Sequence, residues 1–172
     1  MLVNNLVNGN VFIDGTSWFG TFKEFTLPVM KALYEEHEAL GQNAKLELVT
    51  GTDLMTGNMK LNAPYADLMK LFADPYLNRQ IQLRGNLETY TGAQRTGQNA
   101  YVCYLNATFK QVPGGMIKSK AGVEIETEIN VTYMKLEIAG QSAPIFEIDV
   151  MNNIQNVNGV DILAQFRANL GI

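Results

Sequence analysis

Apolar and polar residues alternate along much of this chain, and alternation marks strands with one buried face. Asn10-Val11-Phe12-Ile13 leads into Asp14-Gly15, a dipeptide suited to a tight hairpin turn, and aromatic-rich residues 18–25 follow. Residues 45–49 put Leu46 and Leu48 on one face, and residues 55–61 alternate after a Gly/Thr/Asp-rich stretch. These two segments are expected to form a hairpin. Residues 79–88 repeat the scheme with Ile81, Leu83 and Leu87 inward, and residues 99–112 follow a polar turn at 91–98. Pro113-Gly114-Gly115 then breaks the chain before a long strand over 123–138. In that strand Val123, Ile125, Ile129, Val131 and Tyr133 hold odd positions, whereas Met134, Leu136 and Ile138 hold even ones. Such a change of phase signals a bulge or a change of packing partner.

Two segments follow the helical period instead. After Pro64, suited to a first turn, Tyr65, Leu68, Met69 and Phe72 share a face, and Asp74-Pro75 ends the helix. This amphipathic helix should lie against the open face of the sheet. A second helix is expected from Asn158 or Asp161 to Leu170, with Asp161 near its positive end and Gly171 as a left-handed cap. Residues 29–38 fit both periods: Met30, Leu33, Tyr34 and His37 make a helical face, and a strand competes. The fold class is mainly β, a sandwich or partial barrel with one flanking helix and a short C-terminal helix.

The chain has 172 residues, a length that suits one domain spanning 1–172. With 47% hydrophobic and 17% charged residues it can bury a core, and global disorder is excluded. Its apolar runs are too short for a membrane-spanning helix, and residues 1–10 lack the basic start and apolar block of a secretory signal. A net charge of −4 gives no basic patch for sequence-specific nucleic-acid binding. A soluble, cytosol-folding protein is the expectation.

Candidate chemistry is sparse. The chain has one cysteine and one histidine, so neither an internal disulfide nor a zinc motif is available. Cys103 lies in the alternating Tyr101-Val102-Cys103-Tyr104-Leu105 and is expected in the core, while His37 sits among Glu35, Glu36 and Glu38 on a solvated face. The glycines at 51–57 and 92–97 lack the Gly-Lys-Ser/Thr ending of a phosphate loop, and no Gly-x-Ser-x-Gly elbow occurs. Carboxylate runs such as Glu124, Glu126 and Glu128 fit solvated faces better than an acid–base pair. No catalytic, cofactor or metal site is expected, and the chain is not read as an enzyme.

The C-terminal part is the most specific. Glu147-Ile148-Asp149, then Asn158-Gly159-Val160-Asp161, then Arg167-Ala168-Asn169-Leu170-Gly171-Ile172 resembles the signature of the FII-like major tail tube proteins of contractile-tailed bacteriophages. Tyr133-Met134-Lys135-Leu136-Glu137-Ile138 is similar to the tyrosine-rich strand of that family. Asn10-Val11-Phe12-Ile13-Asp14-Gly15, Ser17, Gly20 and Thr26-Leu27-Pro28 are similar to its N-terminal pattern, so the resemblance runs from about residue 8 to 172. Tyr34-Glu35-Glu36-His37-Glu38 departs from the basic, glycine-rich turn common there. Because the family treats this stretch as extended, the resemblance implies a strand at 29–38.

The resemblance further implies a non-enzymatic structural subunit that forms homohexameric rings. The rings stack into a hollow tube for DNA ejection, inside the tail sheath of a virion assembled in the host cytoplasm. Baseplate, tape-measure and tail-terminator proteins would be its neighbours. DNA would be passing cargo, with no membrane insertion by this chain. The tube of a headless contractile bacteriocin or of a secretion system is the alternative, and a ligand-binding β-sandwich module a more distant one. Within this picture residues 1–9 form an N-terminal arm, and 50–58 an assembly loop or a mobile solvent loop. Residues 158–172 dock on their own or a neighbouring subunit. Leu54, Met55, Gly159, Asp161 and Arg167 are the candidate assembly contacts. Six copies of a subunit with charge −4 make an acidic tube, and a negative or neutral wall keeps DNA centred and lets it slide. The candidate lumen-facing residues are Glu47, Gln82, Glu88, Glu124, Glu126 and Glu128.

Overall fold

The computed structural model describes residues 1–115, 123 and 125–172. Its first strand, β1 (Leu2–Ile13), turns at Asp14-Gly15 into β2 (Thr16–Ser17), with Ile13 opposite Thr16. Both turn residues have positive φ, 49° and 79°, the geometry that lets a two-residue turn match strand twist. Asp14 also ties the turn to a distant strand, since its carboxylate accepts from the Gln80 amide (3.0 Å) and pairs with Arg79 (2.9 Å).

The remaining strands are β3 (Phe22–Thr26), β4 (Ala32–His37), β5 (Leu46–Thr52), β6 (Met55–Leu61), β7 (Arg79–Thr91), β8 (Gln94–Phe109), β9 (Ile125–Ile138), β10 (Phe146–Asp149), β11 (Ile154–Val157) and β12 (Val160–Asp161). Ten of them make one antiparallel sheet in the order β12-β11-β10-β9-β8-β7-β1-β2, with β6 joining β9 and β3 joining β6. β4 and β5 form a separate two-stranded sheet. The stretch that also fitted a helix is therefore extended at 32–37.

The hairpin expected between residues 45–49 and 55–61 does not form. β5 pairs with β4, and β6 pairs with β3 and β9. Burial supplies the reason. Alternate residues of β6 (Met55, Met59 and Leu61 among them) are fully enclosed by the core, whereas every residue of β5 is exposed, Leu46 and Leu48 included. Alternation identifies a face; it does not identify the neighbouring strand.

The phase change in β9 has both of the causes its pattern allowed. Asn106 faces Tyr133 and Ala107 faces Val131, which leaves Thr132 as an extra bulged residue. Its hydroxyl donates to the Asn106 carbonyl at 3.3 Å. At the same point β9 changes neighbour, from β6 along Ile125–Val131 to β10 along Tyr133–Leu136. The bulge keeps Met134 and Leu136 in the core that Ile129 and Val131 also enter.

Helix α1 (Ala66–Phe72) buries Leu68 and Phe72, whose ring centroid lies 4.6 Å from that of Phe109 on β8. Helix α2 (Ala164–Leu170) ends at Gly171 with φ 73°, the expected left-handed cap. It starts later than its spacing suggested. Asn158 and Gly159 have φ of 50° and 80° and turn β11 back into β12, so the Asn-Gly hairpin signal overrides the helical period.

Candidate functional site

The register of the large sheet sorts its side chains into two faces. One cross-strand row runs Val11, Leu83, Cys103, Leu136, Phe146, Val157 and Val160, and belongs to the core face. The next row runs Phe12, Gln82, Tyr104, Lys135, Glu147, Asn156 and Asp161. It lies on the opposite face, and apart from Phe12 and Tyr104 its members are polar or charged.

Cations on this polar face are held close to the protein. Lys135 pairs with Glu137 at 2.7 Å and lies 5.5 Å from the Tyr104 ring centre, and Arg84 sits 5.6 Å from that of Phe12. The Glu137 carboxylate raises the Lys135 pKa. Glu147 accepts from the Tyr133 hydroxyl and from Asn156 Nδ2, both at 2.8 Å. Burial, then this hydrogen bond, pushes the Tyr133 phenol well above its ordinary value.

The candidate lumen residues fall in three places. Gln82 and Glu88 share a face of β7, and Glu126 and Glu128 lie on β9 between inward-facing Ile125, Thr127 and Ile129. Glu88 is buried beneath its donors: the Tyr90 hydroxyl (2.6 Å), Arg95 Nη1 (2.8 Å), Gln98 Nε2 and Asn86 Nδ2 (both 3.2 Å). Glu126 accepts from Asn58 Nδ2 (2.6 Å), and Glu128 pairs with Lys110 (2.6 Å). Glu47 is not with them; it stands on β5 opposite Glu36. Glu124 lies outside the described residues.

The candidate assembly contacts are also divided. Thr50–Asn58 is mostly strand, since β5 continues to Thr52 and β6 starts at Met55, leaving Asp53 and Leu54 as the connection. Leu54 is exposed, but Met55 is a core residue opposite Val131. Gly159 forms the β11–β12 turn. Asp161 and Arg167 form an ion pair, and Arg167 also donates to the Asn153 carbonyl at 2.7 Å. Apart from Met1, the residues named for the N-terminal arm belong to β1, paired with β7 over 2–7, and a bulge follows at Asn8. Cys103 is in the core, where burial raises its thiol pKa to about 12. His37 is exposed on β4 opposite Leu46.

Two apolar surfaces went unmarked in the sequence. Every residue of the β4–β5 hairpin is exposed, among them Leu33, Tyr34, Leu46, Leu48 and Val49. Leu2, Val3, Leu6 and Val7 of β1 are exposed as well. A signal for the second was present: residues 2–13 contain no charged side chain.

Residues 3–171 match the family described as Phage tail tube protein FII. The chain is also 30% identical over 170 residues to the tail tube protein of Escherichia phage P2, covering 95% of this chain and 94% of that protein.

Proposed function

This chain belongs to the phage tail tube protein FII family, a structural and non-enzymatic one, and on that premise we propose that it is the ring-forming subunit of a contractile tail's inner tube. As a tail component it has its place in the virion. Six copies form a ring, rings stack into a hollow conduit, and DNA passes through during ejection. The chain assembles in the host cytoplasm against the sheath, baseplate, tape-measure and tail-terminator proteins.

The observation that carries this reading is the β4–β5 hairpin. An isolated two-stranded hairpin is marginal in water, and an exposed apolar patch marks an interaction surface. This one buries none of its residues, yet it presents leucine, tyrosine and valine side chains. A stacked copy of the same chain would cover it. Leu54, next to the end of β5, extends the same surface. The polar sheet face, including Gln82, Glu88, Glu126 and Glu128, is the proposed conduit wall, because Lys135, Arg95 and Lys110 are already paired with carboxylates of the subunit and Arg84 lies against the Phe12 ring.

Negative-stain microscopy of the purified protein, concentrated stepwise, tests this. Rings or hollow rods are expected, and a variant with residues 33–51 replaced by a short Gly-Ser turn should stop at single rings. A wild-type protein that stayed monomeric throughout would sink the proposal.

A further inference from the structure

We propose that rings close by a head-to-tail contact in which the β12–α2 edge of one copy seats on the β1 edge of the next. This deepens the tube reading by assigning the lateral surface and its partner, a second copy of this chain.

The two edges lie at opposite ends of one sheet, and each is unfinished. β2 covers only Phe12 and Ile13, so among the described residues β1 has no strand along the outer side of 2–10. Along 2–7 its outward backbone groups meet no strand, and the side chains beside them are Leu2, Val3, Leu6 and Val7, between 39% and 68% exposed. Strands that must remain at an edge usually carry charges, prolines or short lengths to block pairing. Residues 2–7 carry no charge and no proline, and keep unbroken register with residues 86–91. The bulge at Asn8 sets the limit of that straight run.

At the far end, the apolar row of the core face is left uncapped. It crosses every long strand and reaches the edge at Val157 and Val160, which stay 47% and 65% exposed. Ile162, Phe166 and Leu170 extend this strip along α2, none of whose residues is buried. The charges beside it are satisfied internally. Arg167 closes on Asp161, and Asp161 also accepts from the Leu163 amide at 3.0 Å. The Arg167 guanidinium holds the Asp161 carboxyl below its ordinary value, so the pair stays ionised and mutually neutral.

Both strips are therefore apolar and without unpaired charge, and each offers what the other lacks. The β1 edge offers open backbone; the β12–α2 edge offers a side-chain cover. Joining unlike edges is a heterologous contact, which closes into a ring when the rotation allows it. Joining like edges, β1 to β1, would stop at a two-fold dimer and build no tube.

Two half-blocked variants test the assignment. Val3→Lys with Leu2→Lys charges the β1 edge, and Phe166→Lys with Ile162→Lys charges the other with the same sign, so that the two blocked edges repel. All four side chains are exposed, so circular dichroism and thermal melting should match wild type. At concentrations where wild type assembles, each variant alone should sediment as a monomer. Their equimolar mixture should give one species of doubled mass, containing one copy of each variant by native mass spectrometry. Only one intact β1 edge and one intact β12–α2 edge remain compatible, so nothing larger forms. A mixture that stays monomeric while wild type forms rings overturns the inference and leaves the tube reading standing. Dimers of the Phe166→Lys, Ile162→Lys variant alone would also overturn it, since they require like edges. A wild-type protein without rings, beside a mixed dimer, would remove the tube reading and keep this contact.

Discussion

Glu88 takes four hydrogen bonds from neighbours on the β7–β8 hairpin, and their effect should be measurable as a pH dependence. The Tyr90 hydroxyl first, and Arg95 next, hold its pKa below the ordinary carboxylate value of 4.5. A carboxylate depressed in the folded state stabilises the fold above its unfolded pKa, and that contribution is lost as pH falls through the folded value. Glu88→Gln should therefore lower the melting temperature at neutral pH, and the gap to wild type should narrow below pH 4.5. A gap that stayed constant down to about pH 3 would show that the ionised form contributes nothing. The strand that carries Glu88 was legible in the sequence, but its burial was not. Arg95 and Gln98 reach it across the hairpin, and alternation records only the side of the strand. Cys103 was legible because its neighbours alternate cleanly, whereas Leu54 and Met55 are adjacent apolar residues that no pattern separates. The first residue of β6 divides them: Met55 turns into the core and Leu54 does not.

Among the elements, α1 followed from its i, i+3, i+4, i+7 spacing because that spacing coincides with real burial. Leu68 and Phe72 are 0% and 1% exposed, and Phe72 packs on Phe109. Phe72→Ala should cost about 3–5 kcal/mol, the usual range for a fully buried aromatic, read as a lower urea midpoint with an unchanged slope. A loss under about 1 kcal/mol would mean that the helix contributes little to the fold. The bulge of β9 was legible for the same reason: a one-residue shift exchanges the two faces of a strand, and the apolar positions recorded the exchange. The partners of β5 and β6 were not legible. Leu46 and Leu48 alternate like core residues, and only the tertiary structure separates a pattern that meets a core from one that meets solvent. The turn at Asn158-Gly159 was visible as a dipeptide but was outweighed by the helical spacing around it.

For the whole molecule, the proposed wall should treat DNA as cargo. Each phosphate contact by an available Lys or Arg adds salt-dependent affinity, and a tube repeats any such contact along its length. Lys135, Arg95 and Lys110 are already paired with carboxylates, and the chain as a whole carries a charge of −4. Screening confines what field remains to roughly 8 Å at physiological ionic strength. Assembled tubes should therefore not retain duplex DNA in co-sedimentation at that salt, and Glu137→Gln with Glu128→Gln should raise retention by freeing two lysines. Tubes that bound duplex tightly, with an affinity falling steeply in salt, would contradict this wall. Family, fold class and the absence of a catalytic role could be read from motif order and composition. The assembly surfaces could not, because apolar residues awaiting another copy look in sequence like apolar residues awaiting a core.

The pairing of β1 with β7 also sets the order in which the chain can fold. Ile13 meets Ile81 and Leu2 meets Thr91, so the first strand made waits for a partner synthesised much later. Contacts this distant along the chain fold slowly, on the order of milliseconds to seconds for β-rich domains, and ribosomes add only about 5–20 residues per second. During that interval an uncharged, apolar segment stands open on every nascent chain. Polysomes making this protein at high rate would bring many such segments together, so its yield in a cell depends on the pace of translation and on chaperone capacity as well as on the stability of the finished subunit.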